Sequence, residues 1–218
     1  MKSSIFILFS LYFIVGNTAV AKSPSIKPDW EKISSYSINL SGREVSYKLP
    51  GKISIDFPQQ IGMDFNVYDL DLFGDRHLFT VAKTYWDYKS RKLFFWDTIG
   101  TLSFRIAVFK TKEGFSDDIS DILKFQNVMQ NTLAVVHSQA KEIPIIEVNG
   151  NRWLHYIEKN RPSNPDDYIY LLPLTENRYL EVSFTIMFGD DQNRDNWYET
   201  SKSDIEKIIN SFSVTFPK

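Results

Sequence analysis

The sequence predicts a single α+β domain built on an antiparallel sheet. Three observations carry that prediction. Short segments with period-two alternation dominate both halves of the chain, and only two stretches place apolar residues at helical spacing. The strand segments also follow one another in antiparallel runs, whereas a parallel nucleotide-binding sheet needs strands and helices in alternation.

Residues 1–21 have the form of a secretory signal peptide. Lys2 gives a positive start, Ile5 to Val15 is an almost unbroken apolar run, and Ala19-Val20-Ala21 satisfies the small-x-small rule for cleavage before Lys22. The run is too short to span a bilayer comfortably, and no second long apolar stretch follows. The expected mature chain has 218 − 21 = 197 residues, exported and without stable membrane insertion. A periplasmic location is expected, with release to the medium as the alternative. Residues 22–34, with Pro24, Pro28 and several Ser and Lys, predict a flexible N-terminal segment, and 35–218 the single domain.

Tyr36, Ile38 and Leu40 alternate, as do Val45, Tyr47 and Leu49 beyond Ser41-Gly42, so a strand pair is expected there. Ile53, Ile55 and Phe57 predict another short strand, and the acid-rich stretch from Ile61 to Arg76 an irregular excursion. Strands are expected over Leu78 to Trp86 and Thr101 to Lys110, the latter on Leu102, Phe104, Ile106 and Val108. Ser116 is the expected N-cap of the longest helix, with Asp117 and Asp118 placed favourably for its dipole. Ile122, Phe125, Met129, Leu133 and Val136 continue it at helical spacing to about Ala140.

Ile143 to Val148, Asn149-Gly150 and Arg152 to Lys159 form the clearest hairpin signal, because Asn-Gly supplies the positive φ values of a tight primed turn. Tyr168 to Leu174 and Tyr179 to Phe188 read as strands joined by a turn at Thr175 to Arg178. Ser203-Asp204-Ile205-Glu206 reads as a capping box opening a helix over 203–212, with Ile205, Ile208, Ile209 and Phe212 on one face.

Composition excludes several function classes. Loss of Lys2 with the leader moves the formal charge from −2 to −3, which excludes a strongly basic nucleic-acid binder. There is no cysteine, hence no disulfide scaffold, thiolate metal site, cysteine nucleophile or lipobox anchor. An aromatic content of 15% supplies a core large enough to hold an exported domain without disulfides.

The run Val148-Asn-Gly-Asn-Arg-Trp153, the strand through Tyr156, the paired strands around Tyr168 to Leu172 and Tyr179 to Phe188, and the closing Ile208-Ile-Asn-Ser-Phe212 resemble the PsbP-like α/β/α sandwich superfamily. That superfamily includes DcrB-type bacterial envelope proteins and related secretion chaperones. Tyr47-Lys-Leu-Pro50 followed by a strand is similar to its opening. The resemblance is mostly of element order and covers roughly residues 36–216. It implies an antiparallel sheet flanked by helices and an adaptor or binding role without catalysis. The chain departs from the pattern in its long segment from Ile61 to Thr98 and lacks the lipid-anchoring Cys of DcrB-type proteins. The resemblance supplies no site residues.

Catalytic and cofactor motifs are absent from the sequence. His77, His137 and His155 have neither metal-ligand spacing nor a His-Glu-x-x-His frame, and there is no Gly-x-Ser-x-Gly, Walker loop or Gly-x-Gly-x-x-Gly. No cofactor or metal is expected. The Asp64, Asp69, Asp71, Asp75 stretch and the Asp190, Asp191, Asn193, Asp195 stretch offer oxygen ligands, but without the glycine and twelfth-position Glu of an EF-hand they read as solvated loops.

Residues 83–112 carry seven Lys or Arg against two acids, interleaved with aromatics, whereas residues 52–80 are net −3. Such a bipolar segment suits protein recognition, in which charge steers encounter and aromatics anchor it; the plainer reading is a strand pair with snorkelling lysines. The partner-binding candidates are Tyr85, Trp86, Tyr88, Lys89, Arg91, Lys92 and Trp96, with Trp86 and Trp96 as anchors if exposed. The expected function is a non-enzymatic, exported protein-binding module, for instance an immunity or adaptor protein. The alternatives are a small-ligand or lipid carrier and, below that, a hydrolase whose carboxylate pair leaves no sequence mark.

Overall fold

A computed structural model describes residues 25–40, 43–51, 67–68, 78–92, 95–111, 121–136, 143–159, 166–188 and 194–215. Eleven strands and two helices lie among them, in the order β1 (Ser25–Ile26), β2 (Asp29–Leu40), β3 (Arg43–Gly51), β4 (Val67–Tyr68), β5 (Leu78–Lys92), β6 (Phe95–Lys110), α1 (Ile122–Val136), β7 (Ile145–Val148), β8 (Asn151–Lys159), β9 (Asp166–Thr175), β10 (Arg178–Phe188), α2 (Arg194–Ile209) and β11 (Ser213–Thr215). The expected α+β class and antiparallel sheet are present.

Seven strands form one sheet in the order β1-β5-β6-β10-β9-β8-β7, each neighbouring pair antiparallel. The chain reaches β6, passes through α1 to the far edge at β7, then meanders back until β10 docks on β6. A second sheet, β11-β3-β2-β4, joins the N-terminal hairpin to the C-terminal strand.

Alternation divides the large sheet into two faces. Trp86, Phe104, Phe184, Tyr170 and Trp153 point to the main core, where they meet Ile38, Tyr47 and Leu49 of the small sheet and Ile205, Ile208 and Phe212 from α2 and the turn after it. Phe212 sits at its centre, stacked on Tyr47 at 5.0 Å between ring centroids and edge-on to Trp153 at 6.0 Å. On the opposite face, Ile122, Phe125 and Met129 of α1 cover Leu154, Ile169, Leu171 and Tyr179. Strand β9 is therefore apolar on both sides, which is why Tyr168 to Leu174 is buried without a break. The layers are not an even helix–sheet–helix stack, because the small sheet shares its side with α2 and α1 covers only one corner of the other.

Several sequence expectations shift. Within the 22–34 segment, Ser25–Ile26 form β1, paired to Ser90 and Lys89, and residues 29–34 belong to β2. The 78–86 and 101–110 strands extend toward each other until only residues 93–94 separate β5 from β6. Asp121 caps α1, its side-chain oxygen accepting from the Lys124 amide at 3.1 Å; Ser116, the expected cap, lies outside the described residues. The strand expected at Ile53 to Phe57 lies outside them too.

The capping box is a misreading with a clear cause. Helix α2 begins at Arg194, nine residues before Ser203, and its buried stripe runs Trp197, Ser201, Ile205, Ile208. Ser201 breaks the apolar pattern yet is 0% exposed, its hydroxyl donating to the Tyr198 carbonyl one turn back at 2.7 Å. The Asn149-Gly150 hairpin forms as expected, with φ of 47° and 77°.

Candidate functional site

The basic, aromatic segment singled out in the sequence is the β5–β6 hairpin, and the pleat separates its residues. From Lys83 to Lys89 exposure alternates strictly: Lys83 and Tyr85 are exposed, Asp87 and Lys89 half-buried, while Thr84, Trp86 and Tyr88 are buried. Trp86 and Tyr88 are 4% and 2% exposed, so neither can anchor a partner. Both serve the core instead. Trp86 packs at 6.3 Å from the Phe104 ring, and Tyr88 donates its hydroxyl to Asp204 of α2 at 2.8 Å. Burial first, and then the Asp204 charge, push the Tyr88 phenol far above its ordinary value. Arg91 and Trp96 face each other in the β5–β6 ladder, as do Lys92 and Phe95, but these side chains lie outside the described residues.

Among the described residues, what the pleat leaves facing outward is a polar sheet face from which Tyr85 and Met187 protrude, with Leu78 exposed farther along β5 beside Phe109. Cross-strand register places Asp87, Thr101 and Met187 in one row, Tyr85, Ser103, Thr185 and Asp167 in the next, and Lys83, Arg105 and Ser183 in the third. Helix α1 covers the neighbouring rows toward Tyr179. The polar side chains are held laterally. Thr101 donates to Asp87 at 2.9 Å, Lys89 pairs with Asp87 at 3.8 Å, Arg105 bridges Glu181 and Ser183, and Thr185 donates to Asp167.

Tyr85 and Met187 stand out of this restrained surface at 52% and 41% exposure. They are two strands apart, about 10 Å across the sheet. Met187 carried no sequence signal of a site. Only register brings it beside the β5 residues, 102 positions away in the chain (187 − 85).

The face offers recognition chemistry: hydroxyl, carboxylate and guanidinium groups beside two apolar side chains. Tyr156, beyond Ser183, has its phenol raised by burial and then by the Glu181 carboxylate, so it is a neutral hydroxyl there. His155 lies on the core side, stacked on Tyr170 at 4.3 Å, with Nδ1 at 3.1 Å from the Ile169 carbonyl. Burial lowers its pKa, partly opposed by that contact. Among the described residues no group of three or more His, Asp or Glu is placed to hold a metal ion, and no helix is long and apolar enough to cross a membrane. His77, His137, Asp64, Asp69, Asp71 and Asp75 lie outside the described residues, as do Asp190, Asp191 and Asn193. No family model, curated protein or solved structure matches the chain.

Proposed function

We propose that this protein is an exported, non-enzymatic protein-binding module of the cell envelope, of the immunity or adaptor kind, and that its partner docks on the β5–β6–β10 face. The observation that carries this reading is the exposure of Tyr85 and Met187 on a face where neighbouring polar side chains are tied to one another. Tyr, Met and Arg are the residue types enriched at interfaces, and a surface ordered in advance loses less entropy on association. The leader-like residues 1–21 support the compartment. Helices α1 and α2 packing on opposite faces of the large sheet support the finer assignment to a PsbP-like sandwich.

A photo-crosslinking residue installed at position 85 or 187 and irradiated in intact cells tests the proposal. Adducts to one protein from both positions, absent from the exposed control position 147 on β7, are expected. Equal labelling from all three positions refutes the assigned face. A second reading, small-ligand or lipid carriage, draws on the buried Trp86 and Trp153 indole N–H groups, which find no hydrogen-bond acceptor among the described residues. Native mass spectrometry of freshly isolated protein separates the two readings, since a carrier retains a small-molecule adduct.

A further inference from the structure

Asn149-Gly150 is the only Asn-Gly pair in the sequence, and both residues are exposed at the β7–β8 turn. Gly150 has φ of 77°, and apart from its chain neighbours nothing lies within 4 Å of the point a Cβ would occupy, so that side of the turn is open. The Asn149 side chain is not idle. Its Nδ2 donates to the Asn210 carbonyl at 2.9 Å and the Phe212 carbonyl at 2.6 Å, at the C-terminal end of α2. Asn151 adds a longer contact to the Val214 carbonyl at 3.4 Å. These contacts pin the turn between α2 and β11, a strand only three residues long that pairs with β3. Phe212, the hub of the main core, lies within that turn.

We propose that Asn149 is a spontaneous deamidation site whose conversion irreversibly unpins the C-terminal turn. The Gly150 backbone nitrogen gives up its proton to solvent and attacks Cγ of Asn149. The new N–Cγ bond replaces the Cγ–Nδ2 bond, and ammonia leaves. Water then opens the cyclic imide at one of its two carbonyls, yielding aspartate or isoaspartate. The product reverses the local electrostatics: a double donor becomes a carboxylate facing two carbonyl oxygens at the negative end of the α2 dipole. Isoaspartate also lengthens the backbone of a turn whose two-residue length sets the hairpin register. The two hydrogen bonds restrain the amide, so the reaction proceeds from the locally opened turn and is slower in the folded protein than in the unfolded chain.

The test ages the full chain in mildly alkaline buffer and follows each asparagine by peptide mapping, with enzymatic methyl transfer to isoaspartate as a second readout. Conversion concentrated at Asn149, and absent in Asn149→Gly, is expected. Asn149→Asp reads the consequence directly and is expected to lose hydrogen-exchange protection at Ser213 to Thr215 while β5, β6 and β10 keep theirs. Conversion arising first at another asparagine overturns the proposal. So does an aged native protein that stays unconverted while its denatured form converts, or an Asn149→Asp variant with full protection of β11.

Discussion

Removing the Asp204 carboxylate should unlatch three elements at once. Asp204 is 2% exposed, accepts a hydrogen bond from Trp30 Nε1 of β2 at 2.7 Å and another from the Tyr88 hydroxyl of β5 at 2.8 Å, and has Lys207 Nζ at 3.6 Å. Hydrogen bonds to a charged acceptor contribute about 1.5–3 kcal/mol each. In Asp204→Ala the half-buried Trp30 recovers a bond to water, whereas Tyr88, 2% exposed, keeps an unpaired hydroxyl. Set against the desolvation that the carboxylate no longer incurs, the net cost is about 2–4 kcal/mol. Urea unfolding should show that loss as a lower midpoint with an unchanged slope. Tyr88→Phe should couple to it by about 1–3 kcal/mol in a double-mutant cycle. A loss under about 0.5 kcal/mol for Asp204→Ala, or strict additivity of the two changes, would refute the latch.

Gly100→Ala drives a Cβ into the Trp197 ring and should cost about 1–3 kcal/mol by overpacking, seen as a lower thermal midpoint; an unchanged midpoint contradicts the close approach of α2 to β6. Neighbours on β5 should behave oppositely. Trp86→Ala should lose about 3–5 kcal/mol of stability, while Tyr85→Ala stays within about 0.5 kcal/mol in the same unfolding assay. Because burial lowers the His155 pKa below the ordinary 6.5, its neutral form contributes stability above that value, and the contribution is lost as pH falls through 6.5 toward the folded-state pKa. His155→Phe, which keeps a ring against Tyr170, should therefore flatten the fall in urea midpoint over that window, and an unaltered profile assigns the dependence to other groups.

Local chemistry made some elements legible and tertiary context hid others. The Asn149-Gly150 hairpin was readable because its turn needs left-handed backbone that few residue pairs tolerate, and β6 because Leu102, Phe104, Ile106 and Val108 share one buried face. The start of α2 was hidden by Ser201, a polar residue that satisfies its own hydroxyl inside the helix. Asp204, which local spacing places in a cap, answers instead to Trp30, 174 positions away, a partner that such spacing cannot show. The candidate site was half legible. Clustered aromatics marked the β5–β6 hairpin, but only its phase against the core separates Tyr85 from Trp86, and only sheet order adds Met187.

Affinity capture from the native envelope, run in parallel with wild type, Tyr85→Asp and the Glu147→Gln control at equal folded stability, tests partner docking on this face most directly. Wild type and Glu147→Gln should retain the same protein while Tyr85→Asp loses it. Retention of that protein by Tyr85→Asp, or a wild-type bait that retains no protein, would contradict the account.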